Sequence, residues 1–208
     1  MADPTFHITT PRLYLHYFIP TNPSHLDFLS QSFAAPTSTT AGQTLSSPIH
    51  DRETARADIE SRIPDQTTTG FGRYLVSLRH SPNDSFINTD VSKPRTLVGI
   101  ISMKLRKHPR APKVPDIGFF FVPEQTGKGY ATEAATALLG YFEGRGVRDV
   151  LGFCDPQNER SKAMFVRLGW EERGVREVFG LRDRMDDGVD VVLCWVKNGM
   201  GEVGEYGV

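Results

Sequence analysis

The feature of this chain that most limits its fold lies at residues 114–142. An apolar run, VPDIGFFFV, leads into PEQTGKGY and then into a helical stripe. Ala131, Ala134, Ala135, Leu138, Leu139 and Phe142 recur at the spacing of one helix face. The run ending at Val122 is apolar on both faces, which predicts a strand inside a sheet rather than at its edge. Gly127 and Gly129 permit a tight turn and let a ligand approach the backbone with no Cβ in the way. The first N–H groups of the helix have no partner inside it and sit at its positive dipole end. Strand, glycine turn and helix together make a place for an anion such as a phosphate or pyrophosphate. A plain tight turn that binds nothing fits the same residues, so both readings stay open at this point.

Two phosphate motifs are excluded. Val122 stands where a P-loop needs its first Gly, and Gly129 where it needs Ser or Thr. Thr132 stands where the dinucleotide fingerprint needs Gly or Ala.

Around this segment the chain alternates strand and helix signals. Residues 12–18 alternate Leu13 and Leu15 with Tyr14 and His16, the period of a half-buried strand. A short helix is expected from Ser24, with Ser24 as cap and Asp27 three residues on. A second is expected from Asp51 through Ala55, Ile59 and Ile63, closed by Pro64. Strands are expected at 71–78, 96–104, 147–154, 170–179 and 189–196, and a further helix at 158–168 before Gly169. Residues 34–50 and 80–95, rich in Pro, Ser, Thr and Asn, read as inserted loops. The Gly-rich stretch 198–208 reads as a flexible tail after a single domain over 1–197. This order predicts an α+β, or mixed α/β, layer fold built on one twisted sheet.

Composition removes other classes. The formal net charge is −1, so no global basic field serves a nucleic acid. No apolar run approaches the ~20 residues that span a bilayer. The opening residues lack a basic stretch followed by an apolar one, so no secretory signal is expected. Cys154 and Cys194 lie too far apart for a framework or a zinc site, and the six histidines have no ligand spacing. A cytoplasmic location without metal is the expectation.

The stretch VPDIGFFFVPEQTGKGYATEAATALLGYF, followed by DPQNERSKAMFVRLGW, resembles the GCN5-related N-acetyltransferases. It is most similar to the branch with ribosomal-protein alanine and spermidine acetyltransferases. Residues 10–15, TPRLYL, also resemble that branch's first strand. The likeness is strong over 96–170. It implies a mostly antiparallel sheet with two splayed parallel strands, flanked by helices, and acetyl-CoA as cofactor. Carried over by position, the amides of Gly127, Lys128, Gly129, Tyr130 and Ala131 hold the pyrophosphate. The pantetheine arm pairs with the backbone of Phe120, Phe121 and Val122 as an added strand would. Asn158 and Ser161 match the N-x-x-S helix that contacts the cofactor arm. Thr126 departs from the family, which usually has Gln or Arg there, so the family's side-chain contact to the phosphates does not carry over at that position, while the backbone contacts do.

The implied reaction is direct acetyl transfer to a primary amine: a protein N-terminus, a lysine, a polyamine or a small amine. It needs a deprotonated amine, a donor for the developing oxyanion and a proton for the leaving thiolate. Asp116, where this branch often carries Glu, is the expected base, and the N–H of Phe121 or Val122 the oxyanion donor. Many relatives have Tyr at the position of Phe165, which cannot donate a proton, so Ser161 is the expected acid. Cys154 reads as a buried inert thiol. The basic stretch 104–113 and Arg160, Lys162 and Arg167 are either solvated charges or guides for the cofactor phosphates. A monomer or homodimer is expected. The rival readings are a CoA-binding sensor without turnover and a nucleotide binder using the same turn.

Overall fold

The computed structural model describes residues 3–34, 37–38, 44–45, 49–87, 95–181 and 188–208. The chain divides into two compact units, Met1–Ser102 with Phe119–Leu138, and Met103–Gly118 with Leu139–Val208. The strands of the main sheet hydrogen-bond in the order β1-β2-β5-β6-β7-β8-β10-β9. These are β1 (His7–Thr9), β2 (Leu13–His16), β5 (Gly72–Leu78), β6 (Leu97–Lys104), β7 (Asp116–Phe121), β8 (Leu151–Cys154), β9 (Glu171–Phe179) and β10 (Val189–Val196). The helices are α1 (Pro23–Ala34), α2 (Arg52–Thr69), α3 (Tyr130–Glu143) and α4 (Glu159–Arg167). The mixed α/β, mostly antiparallel fold expected from the sequence is therefore observed.

In the first unit β2 pairs antiparallel with β1 and β5. β1 was not expected, because its three residues carry no alternation. All four residues of β2 are buried, not half of them as the pattern predicts. Their polar tips make this possible. The Tyr14 hydroxyl donates to the Asp84 carbonyl, and His16 Nε2 lies 3.2 Å from Ser77 Oγ. His7, Tyr14, His16 and Phe86 form one ring cluster, covered by Arg95 over Tyr14 and Phe86. The core of this unit joins Phe18, Leu26, Leu29, Ala55, Ile59, Leu75 and Ile100.

Both early helices differ from expectation at their ends. The α1 cap is Asn22, whose Oδ1 accepts from the Ser24 amide at 3.0 Å, while Asp27 bonds Arg52 instead. Asp51 caps α2 as expected, in a reciprocal box with Thr54. Pro64 does not close α2, which runs on to Thr69. Proline removes one helical hydrogen bond, but it does not supply a stop. The stop is Gly70, left-handed at φ 80, whose N–H bonds Gln66 O.

The expected loop 34–50 lies largely outside the described residues; of 80–95, residues 80–87 and 95 are described and form no helix or strand, as a loop requires. Within the first, β3 (Thr37–Ser38) and β4 (Thr44–Leu45) pair antiparallel, so it is not structureless.

In the second unit β8 runs parallel to β7, with Asp116 opposite Leu151 and Ile117 opposite Gly152. β10 pairs antiparallel with both β8 and β9. Residues 198–208, expected to fray, are held. Val203 is buried with Leu151, Cys194 and Val196, and Met200, Tyr206 and Val208 pack on that cluster. The Lys113 amide donates to Tyr206 O at 2.9 Å, and the Gly201 amide to the Tyr206 hydroxyl at 3.0 Å. The apolar positions are too few and too widely spaced among glycines to show in sequence.

Candidate active site

The turn after β7 is built as its sequence dictates. Pro123–Gln125 make one 3₁₀ turn, and Thr126 closes it by donating through N and Oγ1 to Pro123 O. Gly127 and Gly129 have φ of +77 and +79, values that a side chain disfavours. A Cβ at Gly127 would meet nothing within 4 Å. Residues 126–129 are exposed. Among the described residues, the amides of Gly127, Lys128, Gly129, Tyr130 and Ala131 donate to no group. Further into the helix, Glu133 N donates to Gly129 O at 3.1 Å. Five successive donors thus face outward at the positive end of α3, an arrangement that suits an anion. Of the nearby side chains, Thr126 is turned onto Pro123, and Lys128 Nζ gives one of its three donors to Gln125 Oε1 at 2.8 Å.

A latch that sequence reasoning missed braces this turn. Glu133, in the first turn of α3, accepts from Thr10 Oγ1 at 2.6 Å, Arg12 N at 3.0 Å and Arg12 Nε at 2.6 Å. Burial alone would raise the Glu133 carboxyl, but the Thr10 and Arg12 donors hold it below its ordinary range. Arg12 Nη1 reaches on to Lys128 O at 2.9 Å, and the guanidinium lies 4.8 Å from the Tyr130 ring centroid. The only signals in sequence were TPRL and a Glu three residues into the helix, separated by 121 positions.

On β7, Asp116 is buried, and both its oxygens lie in the fork of Arg106, at 2.6 Å from Nε and 2.8 Å from Nη2. Arg106 also donates to Leu181 O. The carboxylate expected as the base is therefore engaged in a bidentate ion pair. Of the two expected oxyanion donors, the Val122 amide is committed to Val98 O at 3.1 Å. Strand alternation turns the Phe121 amide to the opposite edge of β7. Phe120 is 37% exposed although its strand is internal to the sheet order.

Asn158 caps α4, its Oδ1 accepting from Ser161 N at 3.1 Å. The N-x-x-S spacing is thus first a capping motif. Ser161 is mostly buried, and its hydroxyl has no hydrogen-bond partner among the described residues. Phe165 is fully buried, 5.3 Å from Trp170 and 5.5 Å from Trp195 between ring centroids, so it is a packing residue. Cys154 and Cys194 are free and buried, and burial raises both thiols, Cys194 to about 11. Within the basic stretch, Arg106 is taken by Asp116, His108 is buried, and Arg110 lies over the Phe179 ring. Lys162 pairs with Glu159 at 2.7 Å. Among the described residues no three His, Cys, Asp or Glu gather as a metal site, and no helix is long and apolar enough to cross a membrane.

Comparisons with known proteins place this geometry. Residues 13–171 match the family model described as an acetyltransferase (GNAT) domain. A curated relative, the uncharacterized N-acetyltransferase YnaD of Bacillus subtilis, is 35% identical over 60 residues, 28% of this chain. That match spans about a third, 35%, of the relative's length. Among solved structures, one similar chain is a Salmonella typhimurium acetyltransferase that modifies the N-terminal serine of ribosomal protein L7/L12. It has 17% identity and a TM-score of 0.62, over 92% of this chain and 98% of that one. Another is the microcin C7 self-immunity acetyltransferase MccE, solved with acetyl-CoA and AMP, at 16% identity and a TM-score of 0.61. It covers 90% of this chain and 93% of that one.

Proposed function

The chain belongs to the GNAT acetyltransferase family, and on that premise we propose that it moves an acetyl group from acetyl-CoA to a primary amine. One observation carries the reading: the five successive amides from Gly127 to Ala131, exposed at residues 127–129, half-buried at Tyr130 and Ala131, and without acceptors among the described residues. They suit the pyrophosphate of CoA, and the half-exposed end of β7, Phe120 to Val122, suits its amide-bearing arm. The complex of MccE with acetyl-CoA supports the same cofactor here. Asn158 and Ser161 are the proposed partners of the arm from α4.

In the reaction the amine nitrogen bonds to the thioester carbonyl carbon, the carbon–sulfur bond breaks, and the sulfur leaves with its electron pair. The Phe121 amide is the proposed donor to the carbonyl oxygen. The Ser161 hydroxyl relays a solvent proton to the sulfur. Asp116 is withdrawn as base because Arg106 occupies both its oxygens; its task is to fix β7. The amine then loses its proton to solvent. Rates should rise with pH to a midpoint that follows the acceptor, near 8 for an α-amino group and near 10.4 for a lysine or polyamine. A midpoint that stays fixed across acceptors in kcat/KM profiles would instead place a base on the enzyme.

A primary-amine acceptor is in keeping with the structural neighbour that modifies a protein's N-terminal serine; thiol release against a panel of peptides, polyamines and small amines identifies it. A second reading, CoA binding without turnover, draws support from the engaged Asp116 carboxylate, and silence across that panel would select it. Gly129→Val tests the turn itself. A valine is strained at φ +79, and its Cβ would stand 3.4 Å from Arg12 Nη2. Calorimetry should show acetyl-CoA affinity falling at least ~100-fold, since branched side chains avoid this backbone region and would crowd the anion. Unchanged affinity in a folded variant would remove the turn from the site.

A further inference from the structure

We propose that Arg12 supplies a fixed second cation at the cofactor turn, binding the CoA pyrophosphate directly while holding the turn in shape. The inference rests on the acetyl-CoA reading above and adds a residue to it. Of the turn's own side chains, Thr126 Oγ1 is used on Pro123 O, while Lys128 Nζ gives one of its three donors to Gln125 Oε1 and is otherwise unanchored among the described residues, on an exposed, flexible stem. A diphosphate carries more than one negative charge, so a second cation held in place adds to what the five amides and Lys128 offer. Arg12 comes in from 116 residues away in sequence and bonds Lys128 O through Nη1, at the centre of the turn.

Its three nitrogens divide the work. Nε is held by Glu133 Oε2 at 2.6 Å and Nη1 by Lys128 O at 2.9 Å. Nη2 makes no hydrogen bond among the described residues, and it stands 3.4 Å from where a Gly129 Cβ would be. The donors left on Nη2 therefore lie beside the Gly129 backbone, next to the five outward amides. The side chain is 49% exposed, so the group is open to a ligand. Rotation is limited on every side: Glu133 fixes Nε and the Arg12 amide, Thr10 Oγ1 fixes Glu133, and the Tyr130 ring lies along the guanidinium. The Glu133 carboxylate is the acid that Arg12 bonds among the described residues, and its oxygens are taken up as acceptors from Thr10 and Arg12. An arginine held in this way offers a preorganised, planar donor that suits phosphate oxygens better than a lysine does.

The experiment compares ligands with and without the diphosphate. Titration calorimetry of the full chain with CoA and with pantetheine is run for wild type, Arg12→Met, Arg12→Lys and Glu133→Gln. Loss of charge-assisted phosphate bonds of the usual strength predicts that Arg12→Met weakens CoA by ~10- to 100-fold. Pantetheine binding should stay within about twofold, since it never reaches the guanidinium; a general disturbance of the fold would move both ligands. Arg12→Lys keeps the charge but not the fork, and should fall between. It also serves as the test variant if the methionine protein does not fold. Glu133→Gln should weaken CoA less than Arg12→Met, because it frees Arg12 without removing it. Equal losses for both ligands, or an unchanged CoA affinity in Arg12→Met and Arg12→Lys, would overturn the role given to Arg12 and leave the acetyl-CoA reading standing. A wild type that binds no CoA would overturn both.

Discussion

Replacing Asp116 with alanine should cost the fold about 3 kcal/mol, because it strips the carboxylate from a guanidinium that remains buried. The side chains of Arg106 and Asp116 are only 10% and 5% exposed, and they meet through two parallel bonds. Taking out one partner leaves a charge in a poorly solvated place, with Leu181 O too weak an acceptor to neutralise it. For a chain of this size the loss lowers the melting temperature by roughly 10 °C. The double replacement Arg106→Met with Asp116→Leu should recover most of it, since a buried ion pair exchanged for apolar groups is often neutral. Urea denaturation of the two singles and the double closes the cycle. Asp116→Asn adds the functional arm. A positioning role predicts that its turnover recovers when the assay is cooled to where the variant is folded. A deficit persisting in fully folded protein would restore Asp116 as the base.

The second large effect is acid lability from a histidine pair in the first unit. His16 and His25 are buried, with ring centroids 5.4 Å apart. Burial pushes His16 down to about 3, aided by the neighbouring His25, and pushes His25 down to about 4. Their hydrogen bonds suit neutral rings: the Ile19 amide donates to His25 Nδ1 at 3.0 Å, and Ser77 Oγ faces His16 Nε2. Both histidines are depressed in the folded state against an ordinary value of 6.5. The unfolded chain therefore binds more protons between pH 6.5 and the folded values, and stability rises with pH across that window. The contribution is complete above about 6.5 and is lost as pH falls toward 4 and then 3. At pH 4 the loss should be on the order of 5 kcal/mol, a large part of a typical folding free energy. Urea midpoints from pH 7.5 to 4.5 measure it. His25→Asn, whose Oδ1 can replace Nδ1 as acceptor for Ile19, should flatten the curve by about half. An unchanged pH dependence in that variant would assign the acid loss to other groups.

The part of the molecule legible in sequence is the part set by short-range rules. The α3 stripe, the two left-handed glycines and the strand before them are read within about thirty residues, and the structure keeps them in place. The Asp51 cap is equally local, while Asn158, read only through a family motif, turns out to cap α4 as well. What was hidden depends on pairing across distance. Arg106 and Asp116 lie on either side of a proline-bearing bend, and no local pattern says that their side chains meet. Thr10, Arg12 and Glu133 join an opening strand to a helix more than a hundred residues later. The buried His16 was misjudged for the same reason: only the arrival of Ser77, His25 and Phe86 makes that face of β2 internal. Pro64 shows a local rule losing to its neighbours, because the following residues keep helical bonds until Gly70 ends them.

The outward amides of Gly127 to Ala131 also give the protein a built-in reporter. Peptide N–H groups with no acceptor and open to water trade hydrogen for deuterium quickly, while those of the buried β5 next to β2 do so only as the structure opens. A ligand seated on the turn would slow this one short peptide selectively. Mass spectrometry of that peptide would then reveal occupancy without any acceptor amine being known.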